Sequence, residues 1–69
     1  MILVTGANGF VGNVLVKRLV KEGRKVRAFC RSESHVSEFR ELGVDVAYGD
    51  VRDYDAVVEA MKDVSAVVH

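Results

Sequence analysis

Three glycines spaced three residues apart are the feature that most constrains how this chain folds. Gly6, Gly9 and Gly12 lie in the segment TGANGFVG, directly after the apolar residues ILV and directly before an amphipathic stretch. This order predicts a strand, a tight turn and a helix. We expect Gly6 to permit the turn, Gly9 to let the main chain approach a pyrophosphate, and Gly12 to let the helix pack close to the strand.

The turn and the helix after it suit an anion. We expect free main-chain N–H groups around Asn8 to Val11, that is at Asn8, Gly9, Phe10 and Val11, to converge with the positive end of the helix on a pyrophosphate, with no lysine needed. No Gly-Lys-Ser/Thr sequence comes after the turn, which argues against a P-loop NTPase. The alternative is that the glycines serve only a tight turn.

The rest of the chain alternates between strands and helices. Strands are predicted at residues 2–5, 25–30, 44–48 and 66–68, and helices at residues 11–22, 36–42 and 53–62. Gly23 and Gly43 follow the first two helices as left-handed C-terminal caps would, and Asp53 is expected to cap the third. The apolar side chains expected to be buried on the first and third helices are Val11, Val14, Leu15, Val16, Leu19, Val20, Val57, Val58 and Met61.

This alternation predicts an α/β fold in which helices cover an open parallel sheet. Right-handed crossovers place strand two beside strand one, strand three outside it and strand four on the far side, which gives the order 3-2-1-4. Ligands of such sheets bind over the carboxyl ends of the strands, where the strand order reverses. The glycine turn falls at that crevice, so residues 1–69 are predicted to be the N-terminal, mononucleotide-binding half of a Rossmann fold.

Composition argues against several other classes of function. The 69 residues allow one small domain, and ten basic and ten acidic side chains cancel, so we expect no binding to nucleic acid or membrane surfaces. The apolar runs are too short for a membrane span, and Met1 leads straight into a strand rather than a signal peptide. Cys30 is the only cysteine, so we expect a buried strand residue, no internal disulfide and a reducing, cytoplasmic setting.

The choice of cofactor depends on the residues directly after the second strand. In dinucleotide sites, an Asp or Glu about 20 residues past the glycines accepts hydrogen bonds from the ribose hydroxyls. Here the strand leads into Arg31, which cannot accept such a bond but can pair with a 2′-phosphate. Arg31 therefore favours NADP over NAD. Two alternatives stay open: Arg31 is a solvated strand-end residue, or Glu33 reaches a ribose and restores NAD.

The third strand ends in a second polar motif, GDVRD. The carboxylate of Asp50 is able to accept a hydrogen bond from the amino group of adenine, and the main chain of Val51 is able to complete the contact. The alternative for Asp50 is a role in the turn.

Residues 4–12 resemble the Thr-Gly-x-x-Gly-Phe-x-Gly opening of the extended short-chain dehydrogenases/reductases, the NAD(P)-dependent epimerase/dehydratase group. VRAFCR is similar to the second strand of the reductase branch, GDVRD to the adenine-side motif, and VVH to the start of the fourth-strand motif. The resemblance implies that Arg31 meets the 2′-phosphate of NADP. It also implies a longer parent protein, because the family's catalytic Tyr-x-x-x-Lys pair lies beyond position 69 and no such pair occurs here.

The leading hypothesis is the N-terminal part of an NAD(P)-dependent oxidoreductase, epimerase or dehydratase. It would bind the ADP-ribose and pyrophosphate of the cofactor, without catalytic residues, a metal site or turnover of its own. A second hypothesis is a non-catalytic sensor or scaffold that keeps the dinucleotide site. A third is a fragment that binds nothing and self-associates through strand four, an exposed edge of the sheet.

Overall fold

Strands and helices alternate in the computed structural model, which describes residues 1–32 and 36–69. The elements are β1 (Ile2–Thr5), α1 (Phe10–Lys21), β2 (Val26–Cys30), α2 (Val36–Glu41), β3 (Asp45–Tyr48), α3 (Tyr54–Ala60) and β4 (Ala66–Val68). The predicted elements are all present, with small differences at their ends. Glu33, the alternative ribose ligand, lies outside the described residues.

The four strands form one parallel sheet in the order β3-β2-β1-β4, which confirms the predicted topology. Ile2 of β1 lies opposite Val26 of β2 on one side and Ala66 of β4 on the other. Beyond β2, Arg27 lies opposite Asp45 of β3. The carboxyl ends of all four strands therefore meet at one edge of the sheet, beside the turn that leads into α1.

Two apolar clusters cover the two faces of the sheet. On one face, Val4 packs in a buried cluster with Phe39 of α2 and residues of α1. On the other face, Leu3 and Phe29 pack with Ala60 of α3. Successive side chains of a strand point to opposite faces, so β1 needs apolar residues at consecutive positions to fill both clusters.

α1 buries a narrower stripe than its sequence predicts. Val16 is fully buried, but Val11 and Val14 are 76% and 57% exposed, so their prediction as core residues is wrong. The reason is the position of these residues around the helix. Val11 and Val14 line the same open surface of α1 as Arg18, whose side chain is 72% exposed. This side of the helix does not face the sheet.

α3 also faces the sheet differently from the prediction. Val58 and Met61 are 49% and 44% exposed, and the helix packs instead through Ala56, Val57 and Ala60. The two alanines allow the short helix to approach the sheet closely. A pattern that counts only large apolar side chains misses this face.

The turn between β1 and α1 brings two glycines into direct contact. Gly6 has a φ of 59°, in the left-handed region that favours glycine. A Cβ on Gly12 would lie 2.2 Å from the carbonyl oxygen of Gly6 and 2.9 Å from the Cα of Ala7. The close approach of helix and strand predicted for Gly12 is present, and a larger residue would force α1 to move.

The predicted helix caps are confirmed. The N–H groups of Gly23 and Gly43 donate to last-turn carbonyl oxygens of α1 and α2 at 2.9 and 3.1 Å, and both glycines have positive φ. At the start of α3, Oδ1 of Asp53 accepts a hydrogen bond from the N–H of Ala56 at 3.3 Å. Three helix ends, the last turns of α1 and α2 and the start of α3, are thereby capped by residues that the sequence identifies.

The side chain of Arg27 in β2 links the end of α3 to the sheet. The side chain of Arg27 is only 14% exposed, and its Nε lies 2.8 Å from Oδ2 of Asp45. Its Nη1 donates to the carbonyl oxygens of Ala60 and Lys62 at 2.6 and 2.7 Å. Carbonyl groups at the end of a helix lack intrahelical donors, so Arg27 satisfies the end of α3 and links it to β3.

Gly12→Ala should strongly destabilise the fold. The added methyl group would lie 2.2 Å from the Gly6 oxygen, and overpacking of this kind costs about 1–3 kcal/mol. Gly9→Ala is the matched control, because its Cβ would lie 3.3 Å from the same oxygen and its φ suits alanine. We expect Gly9→Ala to change the free energy of unfolding in urea by less than about 1 kcal/mol. Equal losses in the two variants would contradict the proposed contact.

Arg27→Ala should lower the free energy of unfolding by about 2–3 kcal/mol, because it leaves two carbonyl oxygens and a carboxylate without their donor. Arg18→Ala provides the comparison. It removes an exposed ion pair in which Nε lies 3.0 Å from Oε2 of Glu22, which is worth about 0.5 kcal/mol or less. Thermal and urea unfolding measure both losses. A loss for Arg27→Ala as small as that for Arg18→Ala would count against its role in holding α3.

Candidate functional site

The N-terminus of α1 presents free hydrogen-bond donors. The helix begins at the N-cap Gly9, and no described side chain caps it or places an acidic group in its first turn. The N–H groups of Phe10, Val11 and Gly12 have no acceptor among the described residues, as is usual for the first turn of a helix. α3 differs, because Asp53 caps it. The start of α1 therefore keeps three donors and has no carboxylate competing for them.

Asn8 and Gly9 donate hydrogen bonds that hold the turn together. The Gly9 N–H donates to the Gly6 oxygen at 3.0 Å. The side-chain amide of Asn8 donates to the carbonyl oxygen and Oγ of Ser32 at 3.3 and 3.1 Å. The prediction of a free N–H is therefore wrong for Gly9. The free donors of α1 begin at its first residue.

Cys30 is the last residue of β2 and is buried. It is 1% exposed and has a free thiol, which confirms the predicted buried strand position. Burial raises the pKa of the thiol, and the hydrogen bond from the Asn8 main chain offsets part of that effect. A thiol with a raised pKa stays protonated at neutral pH and is a poor nucleophile. Cys30 thus serves as a packing residue and hydrogen-bond acceptor.

Arg31 and Asp50 lie side by side because β2 and β3 are neighbours in the sheet. Nε of Arg31 is 3.6 Å from Oδ2 of Asp50. Arg52 binds the same carboxylate more closely, with Nη2 at 2.7 Å from Oδ2 and Nε at 3.1 Å from Oδ1. The main-chain N–H of Arg52 adds a hydrogen bond of 2.9 Å to Oδ1.

These contacts fix the charge state of Asp50. Hydrogen bonds from the side chain and main chain of Arg52, aided by the charges of Arg52 and Arg31, hold the pKa of the Asp50 carboxyl well below its usual range. The same pairing raises the pKa of Arg52. Asp50 is therefore a carboxylate throughout the physiological pH range, and it stands between two guanidinium groups.

An open cavity of about 290 Å³ lies at the carboxyl ends of the strands. The predicted site residues that line it are Gly6, Asn8, Arg31 and Val51. Four further lining residues are not among the predicted site residues: Thr5, Phe29, Gly49 and His69. The other predicted residues lie outside this lining, in the glycine turn, the first turn of α1 and the segment after β3; they are Gly9, Phe10, Val11, Gly12 and Asp50. The structure thus brings three separate sequence motifs to one edge of the sheet.

Strand alternation could have identified two of the missed residues. Thr5 and Phe29 lie opposite each other at the ends of β1 and β2, on the sheet face that α3 covers. A Cβ on Gly49 would lie 2.7 Å from Cβ of Ala56 and 3.0 Å from Cζ of Phe29, so glycine allows the chain after β3 to pack closely against the buried aromatic ring. Nδ1 of His69 lies 2.6 Å from Oγ1 of Thr5, a contact between residues far apart in the chain that no local pattern predicts.

This region combines hydrogen-bond donors and guanidinium groups with apolar side chains that line the cavity. Within residues 1–32 and 36–69, no group of three or more His, Cys, Asp or Glu side chains is placed to hold a metal ion. In those same two ranges, no helix is long and apolar enough to cross a membrane. A ligand with phosphate groups and a flat apolar ring matches both kinds of surface.

Comparison with known proteins agrees with this geometry. The sequence model of a family described as NAD(P)H-binding matches residues 6–69. The chain is 45% identical over 67 residues to sterol demethylase protein B of Methylococcus capsulatus, and 46% identical over 68 residues to the 2-alkyl-3-oxoalkanoate reductase of Stenotrophomonas maltophilia. The matches cover 97% and 99% of this chain but 20% of each relative. The chain thus spans about a fifth of the length of these curated relatives.

A solved structure supports the same relationship. A short-chain dehydrogenase/reductase superfamily protein from Agrobacterium tumefaciens, determined with bound NAD, matches with a TM-score of 0.83 at 39% identity. The match covers 100% of this chain and 19% of that protein. Together with the strand order and the glycine turn, these matches confirm the family resemblance of the sequence motifs. The chain therefore belongs to the NAD(P)H-binding family, as a Rossmann-type domain related to the short-chain dehydrogenases/reductases.

Proposed function

We propose that residues 1–69 bind the ADP-ribose and pyrophosphate of a nicotinamide dinucleotide, with NADP preferred. They would act as the N-terminal part of an NAD(P)-dependent oxidoreductase, epimerase or dehydratase. One observation carries this proposal. The N-terminus of α1, which no side chain caps, and Arg31, which follows β2, lie at the same edge of the sheet. When bound, the nicotinamide would supply hydride transfer, and the present residues would hold the other end of the cofactor.

The first turn of α1 is the proposed pyrophosphate site. Three N–H groups, at Phe10, Val11 and Gly12, have no acceptor in the described part of the chain. The partial positive charge of a helix N-terminus adds to their attraction for phosphate. Gly9 places no side chain over these donors, so a phosphate has access to the main chain. The bound NAD in the Agrobacterium relative supports a dinucleotide as the ligand class.

Arg31 is the proposed ligand of the 2′-phosphate. Its side chain is 72% exposed, and its ion pair with Asp50 is as long as 3.6 Å. Most of its donors are therefore available to a phosphate, which guanidinium groups bind by charge-assisted hydrogen bonds. For the adenine, we propose the cavity beside Phe29 and Val51. The alternative cofactor is NAD, which the Agrobacterium relative contains.

The relatives support a role as the cofactor-binding part of a larger enzyme. Both curated relatives are about five times longer than this chain, and one is named as a reductase. We propose that proton transfer and substrate binding belong to regions that these 69 residues do not include. The second candidate is a non-catalytic sensor or scaffold of the same fold. For either, we propose a reducing, cytoplasmic setting, since the sequence has a single cysteine and so no internal disulfide.

The purified chain should bind 2′-phospho-AMP about tenfold more tightly than AMP, because one charge-assisted contact adds on the order of 1.5 kcal/mol. Isothermal titration calorimetry measures both affinities. Arg31→Ala should abolish the difference while leaving AMP binding unchanged. Arg18→Ala, on the outer face of α1, serves as the control for general loss of positive charge. Equal affinities of the unaltered chain for the two nucleotides would rule out the preference for NADP.

The chain should show no hydride transfer by itself. Incubation of the purified 69 residues with NADPH and carbonyl substrates should give no NADPH oxidation above background, measured by the loss of absorbance at the nicotinamide band. The physical reason is the lack of a Tyr-x-x-x-Lys pair to supply the proton. A measurable turnover that scales with protein concentration would disprove this. In a longer protein that contains the chain, such a pair would favour the enzyme over the sensor.

A further inference from the structure

We infer that Arg52 is a positioning residue that sets the preference for a 2′-phosphate by occupying Asp50. In this role Arg52 keeps the neighbouring carboxylate from capturing Arg31 and from repelling the phosphate. The inference rests on the proposed function, since it concerns how the same nucleotide site discriminates between NADP and NAD. It assigns a role to a residue that neither the glycine turn nor the strand-end arginine explains.

Arg52 and Arg31 both contact the carboxylate of Asp50, but Arg52 binds it more closely. Arg52 makes a fork to both oxygens of Asp50, at 2.7 Å to Oδ2 and 3.1 Å to Oδ1. Its main-chain N–H binds Oδ1 at 2.9 Å, so that both ends of the residue hold the carboxylate. Arg31 has one long contact, at 3.6 Å. A bidentate contact of this kind is the stronger form of arginine–carboxylate pair, so Asp50 pairs mainly with Arg52.

The arrangement has a consequence for a phosphate that approaches Arg31. Asp50 alone would neutralise Arg31, and its negative charge would repel the phosphate at short range. With Arg52 included, two positive charges surround one negative charge, and the cluster has a net charge of +1. Arg31 is then the less engaged partner, with donors available. Asp50 and Arg52 together orient the site without touching the phosphate themselves.

Loss of Arg52 should therefore lower the preference of the site for 2′-phospho-AMP over AMP. A carboxylate released from the fork would be free to pair closely with Arg31, whose Nε is already 3.6 Å away. AMP lacks the 2′-phosphate, so its binding does not depend on the donors of Arg31. Binding of 2′-phospho-AMP should weaken, whereas binding of AMP should stay the same. A purely structural role would affect both nucleotides equally.

A double-mutant cycle tests the inference. Isothermal titration calorimetry would measure 2′-phospho-AMP and AMP with the unaltered chain, Arg52→Ala, Asp50→Asn and the double variant. The quantity compared is the ratio of the two affinities, which cancels contacts made by adenine. We expect Arg52→Ala to lower this ratio about threefold to fivefold, as loss of one exposed charge pair would. In the Asp50→Asn background, Arg52→Ala should leave the ratio unchanged, because the carboxylate that it controls is absent.

Arg52→Lys separates the fork from the charge. Lysine keeps the positive charge but cannot make two parallel hydrogen bonds to one carboxylate, so we expect a ratio between those of the unaltered chain and Arg52→Ala. An unchanged ratio in Arg52→Ala would overturn the inference. So would an equal loss in both backgrounds, which would make Arg52 a direct phosphate ligand. If the unaltered chain itself shows no preference, the proposed NADP site fails, and that outcome is distinct from either of these.

Discussion

The contact between the carbonyl oxygen of Gly6 and the backbone of α1 at Gly12 is the constraint on which the rest of the site depends. It brings the first turn of α1 close to the end of β1, where a Cβ on Gly12 would lie 2.2 Å from the Gly6 oxygen. The hydrogen bonds from the Ala7 N–H to the carbonyl oxygen of Phe29 and from the Asn8 side chain to Ser32 then tie that turn to β2 and the residues after it. The free N–H groups of the helix consequently occupy a fixed place beside the strand ends.

Parallel topology makes this turn part of a larger site. Because every strand of a parallel sheet ends at the same edge, residues far apart in the chain become neighbours of the glycine turn. Arg31 comes from the end of β2 and Asp50 from the end of β3, and their charged groups lie within 3.6 Å. The order β3-β2-β1-β4 therefore does two things at once. It builds the apolar core, and it collects donors, guanidinium groups and an aromatic floor at one crevice.

Sequence reasoning predicts the elements, their order and the glycine contact because each depends on local pattern: valine-rich strands, helix caps and crossover handedness. It fails where the outcome depends on which side of a helix faces the sheet or on side-chain geometry. Val14 is exposed because it shares an open surface of α1 with Arg18, and α3 packs through alanines that hydrophobic patterns discount. The Gly9 N–H is not free, because the carbonyl oxygen of Gly6 accepts its hydrogen bond. For Asp50 the pattern indicates an adenine ligand, and only the placed side chains reveal the fork from Arg52.

The central claim is that the start of α1 and the ends of β2 and β3 form one dinucleotide site. The most direct test is to titrate the ¹⁵N-labelled chain with NADPH and follow the amide resonances by NMR. We predict saturable shifts that are largest at Phe10, Val11 and Gly12 and at the segments around Arg31 and Val51. Shifts at the end of α1 and along the outer face of α3 should be small. Saturable binding with its largest shifts away from the glycine turn, or no saturable shift at all, would contradict the account.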